Sequence, residues 1–136
     1  MFHLGKRVNV LDTDELSKFF NAVDHADEVE LLRLRAAWLS VDRRRHEEAW
    51  AAVRAVGVRE GLSREIDGIR KRALAWASRG NNDIPYRNDQ PWAEIKMEAA
   101  EAIVDIALGI SLGDRLDAAT RGTLLASWGG GTEASR

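Results

Sequence analysis

Four carboxylates, Glu94, Glu98, Glu101 and Asp105, recur at i, i+4, i+7 and i+11 along a segment that is otherwise apolar. On a helix they share one narrow strip. Like charges four residues apart disfavour a helix by about 0.2–0.5 kcal/mol per pair. Something outside the helix must offset that: solvent, Lys or Arg from another helix, or a divalent cation held by oxygen ligands. The charge distribution supplies a partner directly. Residues 33–79 hold 12 Lys+Arg and 6 Asp+Glu, a surplus of +6, while segments 1–32 and 80–136 each carry −4. Blocks of opposite sign can neutralise one another across helix contacts, and this is the leading account of the strip.

A metal reading stands beside it. Glu98-Ala-Ala-Glu101 resembles the first of two acidic pairs, Glu-x-x-Glu and Glu-x-x-Asp, that all-α nucleotide pyrophosphohydrolases of the MazG and dimeric dUTPase type present to magnesium. Asp114-Arg-Leu-Asp117 imitates the second, with Asp in place of Glu. The resemblance spans residues 98–117. It implies divalent-metal-dependent hydrolysis of a nucleotide. The enzyme alternative built on it takes Glu98, Glu101 and, outside the family pattern, Asp105 as Mg²⁺ ligands, with Asp117 or a partner-chain carboxylate completing the set. Glu101 lies nine residues before Ile110, so a rise of about 1.5 Å per residue offsets it from Asp114 by roughly 10 Å along antiparallel axes. Asp105 is better placed to meet Asp117. Outside this alternative no cofactor is expected.

Other chemistries find less support. His3, His25 and His46 share no ligand spacing, and neither Glu-x-x-His nor His-Glu-x-x-His occurs, which removes the patterns of di-iron bundles and zinc proteases. The absence of Cys excludes disulfides, thiolate metal sites and cysteine nucleophiles. No serine sits in a Gly-x-Ser-x-Gly setting. Gly129-Gly130-Gly131 follows no strand and precedes no Lys-Ser/Thr, so it is not a phosphate loop. A helix-turn-helix reading rests on Gly57 as the turn and on Arg64, Arg70, Lys71 and Arg72 in a basic second helix. Against it, Ser63 occupies the apolar anchor position, and Glu65 and Asp67 would face phosphates.

Five Trp in 136 residues is a high count. Each brings a large apolar surface and one N–H donor, and usually keeps that N–H at an edge of the core. Trp and Arg are also enriched at binding hot spots. Trp38 and Trp50, with the run Arg43-Arg44-Arg45 between them, are therefore the candidate interaction surface, although the arginines also suit a solvated, ion-paired helix face. The leading functional reading is a non-catalytic protein–protein interaction or regulatory module that binds a protein partner or itself, as a homodimer. The metal-dependent enzyme is the alternative, and DNA binding ranks third.

The elements that position these residues are all helical. Asp12 as cap with Glu15, and Leu11 against Leu16, open a first amphipathic helix carrying Leu16, Phe19, Phe20 and Val23. Asp27 caps a second. There Val29, Leu32, Ala36 and Leu39 form one stripe and Leu31, Leu34, Trp38 and Val41 another, a wide face that predicts a central, buried helix. That helix either breaks at Ser40-Val41-Asp42 or runs on to Val56 and stops at Gly57, with Gly57 to Gly61 a turn. Ser63 caps a helix bearing Ile66, Ile69, Ala73 and Trp76, stopped by Gly80. Residues 80–91 form a loop, with Pro91 opening the next helix. From Trp92 to about Ile110 apolar positions cover most of the circumference, so this helix must be largely buried, with Gly109 and Gly113 loosening its end. Asp114 caps a last helix carrying Leu116, Leu124 and Trp128.

The sum is an all-α fold, a compact single-domain bundle of five or six helices over residues 1–128. Residues 1–11 are expected as an extended arm and 129–136 as a flexible Gly-rich tail. At 45% hydrophobic and 31% charged, with a net charge of −2, the chain can build an ordinary core and is not basic enough to coat nucleic acid by net charge. No leader peptide and no membrane span is legible, because Ile103 to Leu112 is too short for a span and contains Asp105. A soluble, cytoplasmic protein is expected.

Overall fold

The helices begin where a side-chain oxygen can take an amide that the first turn leaves without a partner. The computed structural model describes residues 10–79 and 92–128, with the side chains of Ser78, Arg79, Trp92 and Ala93 left aside. The first helix, α1, spans Asp14–Asp24, and its cap is Thr13, whose Oγ1 accepts from the Leu16 amide at 3.2 Å. Asp12 therefore stands one residue too early to cap, and its carboxylate lies 3.8 Å from Arg72. Leu11, Leu16, Phe19, Phe20 and Val23 are all buried, as the spacing requires.

Asp27 caps α2, Glu28–Leu39, by accepting from the Glu30 amide at 2.9 Å. Replacing it with Ala should cost about 1 kcal/mol, or roughly 3–5 °C in a thermal melt of a chain this size. The chain then breaks at Ser40–Asp42. Asp42 accepts from the Arg44 amide at 2.8 Å and starts α3, Arg43–Glu60. Residues 28–56 thus form two helices.

The expected turn at Gly57 is corrected. Gly57 is helical and buried within α3, and a Cβ there would lie 3.0 Å from Ser63 Oγ and 3.2 Å from Ile66 Cδ1. It permits close approach of the next helix. The stop is Gly61, whose φ of 68° lies in the left-handed region that an L side chain rarely adopts. Helix α4, Ser63–Arg79, follows at once, so Ser63 is its first residue and not its cap; Leu62 supplies the carbonyl that accepts from Ile66. Ile66, Ile69, Ala73 and Trp76 are buried as expected.

Helix α5 spans Trp92–Leu112. Gly113, at φ 48°, ends it and leads into a 3-10 turn over Gly113–Arg115 that contains Asp114. The cap of α6, Ala118–Leu124, is accordingly Asp117, which accepts from the Thr120 amide at 2.7 Å. Gly109 does not loosen the end of α5: it is helical, and a Cβ there would lie 2.8 Å from a methyl of Leu125. Of the arm expected over residues 1–11, Val10 and Leu11 form a turn with Leu11 buried in the core; residues 1–9, the stop at Gly80, the loop 80–91 with Pro91, and the tail 129–136 lie outside the described residues.

Among the described residues α5 is the central helix: it packs most extensively on α4 and α2 and also meets α1 and α6, while α3 packs mainly on α6 and α4. Ala99, Ala100 and every residue from Ala102 to Leu108 are buried. This is the nearly encircled rod that its all-round apolar pattern predicts. Among the described residues there is no strand, and no helix is long and apolar enough to cross a membrane.

Helix α2 departs from expectation. Leu31 and Leu34 are buried and Trp38 packs against the core. The second stripe faces the opposite way: Val29 is 74% exposed, Leu39 49%, Leu32 37%, and Ala36 is exposed too. One apolar face suffices to seat α2 on α5, and among the described residues the other stays exposed.

Candidate functional site

Asp105 is the least expected residue of the core. It sits in the apolar run Ile103-Val104-Asp105-Ile106, and only 2% of it is exposed. A carboxylate so placed must find donors. Both come from tryptophan. The Trp38 indole N–H donates to Oδ2 at 3.1 Å and the Trp50 indole N–H to Oδ1 at 2.9 Å. His46 completes the set, with Nδ1 3.5 Å from Oδ2.

The local structure explains why these three arrive together. Trp38 ends the core-facing stripe of α2. His46 and Trp50 lie four residues apart on α3 and share a face. The break at Ser40–Asp42 redirects the chain, and the end of α2 and the first turns of α3 bring their donors to one point on α5. The His46 ring packs 5.0 Å from the Trp38 ring, and His46 Nε2 is 3.1 Å from the Trp38 carbonyl. A carbonyl only accepts, so Nε2 carries a hydrogen and donates. Nδ1 then faces the carboxylate at 3.5 Å.

Burial pushes the Asp105 carboxyl up to about 6, from an ordinary 3.8. The two indole donors and His46 oppose that shift, while the neighbouring Glu101 carboxylate adds to it. With both oxygens engaged, this group ties α2, α3 and α5 together and can hold or release one proton.

The rest of the acidic strip is spread over different environments. Glu94 is exposed and Glu101 half-buried. Glu98 pairs with Nε of Arg35 on α2, each side chain about a third exposed. Asp117 is exposed and spent on capping α6, where hydrogen bonds from the Thr120 amide and hydroxyl hold its carboxyl below the usual range. Among the described residues no three His, Asp or Glu side chains stand together as they would around a metal ion.

The five interaction candidates are brought partly together. Trp38 and Trp50, their N–H edges turned inward, line a surface cleft of about 570 Å³ with Leu39, Val41, Arg43, His46, Glu47 and Arg54. Arg43 and Arg44 make exposed i,i+4 pairs with Glu47 and Glu48 at 3.5 and 3.6 Å. Arg45 is exposed outside the cleft lining. Of the other tryptophans, Trp76 is buried and Trp128 is half-buried, 5.2 Å from Phe19.

Sequence reasoning grouped Asp105 with its acidic neighbours and missed its partners. The available signal was an Asp inside an unbroken apolar run, in a chain with five indole donors. The turn of the helix-turn-helix reading also moves, from Gly57 to Gly61-Leu62. No protein-family model, curated protein or solved structure matches this chain.

Proposed function

We propose that the protein is a non-catalytic interaction module whose contact face is the outer side of α2 together with the adjoining cleft. The observation that carries this reading is the exposed stripe Val29, Leu32, Ala36 and Leu39, on the side of α2 opposite the residues it buries. Single exposed apolar residues, such as Val58 at 80%, are ordinary. A continuous stripe along three turns is not, because water is a poor solvent for it and monomers rarely keep large contiguous patches. Leu39 also lines the cleft, which joins the stripe to Trp38, Val41 and Trp50, flanked by Arg43 and Arg54. Aromatic and arginine side chains around a concave apolar floor are the usual make-up of a binding hot spot.

A photoreactive phenylalanine analogue at Val29, introduced in the cells that make the protein, tests the reading. Irradiation should attach a polypeptide at this position and not at the control position Arg70, which is exposed on α4. Adding Leu32→Glu should abolish the adduct. No adduct at Val29, or equal yields at both positions, overturns the reading.

A further inference from the structure

We infer that the outer stripe of α2 docks against the same stripe of a second copy, antiparallel about a two-fold axis that passes between Leu32 and Ala36. This rests on the interaction reading above and names its partner. Val29, Leu32, Ala36 and Leu39 follow the 3-4-3 spacing of a coiled-coil seam. An antiparallel pairing sets Val29 against the partner's Leu39 and Leu32 against the partner's Ala36. The small Ala36 beside the axis lets the two helices approach closely.

Charge selects the direction. The Val29 end of the stripe is acidic, with Asp24, Asp27 and Glu28. The Leu39 end opens onto Arg43, which pairs with Glu47, and onto Arg54, which leaves that cleft lining with an excess positive charge. Antiparallel copies bring each acidic end to the partner's basic end and oppose the two helix dipoles favourably. Parallel copies would stack like on like. Arg33 and Arg35 flank the seam nearest the axis, and each is already paired within its own chain, with Glu30 and Glu98.

The seam alone is about 15 Å long at 1.5 Å per residue, too little for a standard interface of roughly 800 Å² per partner. The cleft must add to it, and it is in the right place: Leu39 belongs to both, so the partner's Val29 arrives at its mouth. The association is accordingly weak and concentration-dependent. A two-fold contact of one patch with itself is also the commonest way for a soluble chain to pair.

The chain has no Cys, which makes single-cysteine variants clean probes. Val29→Cys and Leu39→Cys change exposed side chains, and circular dichroism checks that both still fold. Under mild oxidation, a mixture of the two should give a disulfide-linked heterodimer, while either alone gives little. Ala36→Glu should raise the dimer dissociation constant about tenfold or more in sedimentation experiments and leave the melting temperature of the monomer unchanged. Cross-linking of either variant with itself means a parallel pair and overturns the inference. A dimer in sedimentation with no cross-link in any mixture means another face and overturns it equally. A chain that stays monomeric at every concentration also overturns it. If the Val29 photo-adduct then contains a different protein, or a segment of the same chain, the self-pairing fails separately from the interaction reading, which survives only in the former case.

Discussion

Replacing Asp105 with Asn should destabilise the protein by roughly 1–3 kcal/mol, because one indole N–H then faces an amide N–H and loses its acceptor. It should also remove a pH dependence that the unaltered protein shows. The Asp105 carboxyl lies at about 6 in the folded chain and near 3.8 when solvated. Between those values the folded state holds a proton that the unfolded chain has released. Stability contributed by this group is therefore complete below about pH 4 and falls as pH rises through 6, by up to roughly 3 kcal/mol. Most surface carboxylates act the other way and lose stability on acidification, so urea titrations of the two proteins at matched pH separate the contribution. The difference between them should shrink from pH 4 to pH 7. A constant difference across that range means that Asp105 titrates as an ordinary solvated carboxylate, contrary to its burial among two indoles and an imidazole.

Ile103→Ala should cost about 2–5 kcal/mol, through lost burial and the cavity left behind. Ile103 is fully buried on α5, amid Ala99, Ala102, Ile106 and Ala107 on the same rod. Those neighbours are mostly small, so little side chain is available to collapse into the space. For a chain of this size the melting temperature should fall by more than 6 °C. Val29→Ala, at a position 74% exposed, should change it by less than about 0.5 kcal/mol in the monomer. A loss at Ile103 no larger than that at Val29 means that α5 is not the centre of the bundle.

Ile103 and Val29 also mark how far the sequence could be read. Both are β-branched residues inside apolar helical stripes. For α5 the pattern was decisive, since apolar side chains cover nearly the whole circumference and only the centre of a bundle can accept such a helix. For α2 the same kind of pattern held for the stripe with Leu31, Leu34 and Trp38 and failed for the one with Val29, Leu32, Ala36 and Leu39. Two apolar stripes imply two partners, and α5 supplies only one. Which stripe is buried depends on the angle at which the helix meets its neighbour, and no residue of α2 encodes that angle alone.

Turns and caps divide in the same way. Asp27 and Asp42 cap their helices through their own side chains, an interaction within four residues that spacing alone can reveal. Gly57 and Gly61 look alike in sequence. One is a contact with α4 and the other a left-handed stop, and only the position of α4 tells them apart. The site followed suit. Asp105 was visible as an acid in an apolar run, but Trp38, His46 and Trp50 lie 55 or more residues away in the chain and converge on it only where the α2–α3 corner meets α5.

The amino-acid order alone thus determined which segments coil, within a few residues where they start, and which helix lies at the middle, because these follow from local hydrogen bonding and from the amount of apolar surface each segment must hide. The packed bundle decided which carboxylate is desolvated, which donors meet it and which apolar stripe is left facing water, because those depend on how rigid helices share a limited set of neighbours.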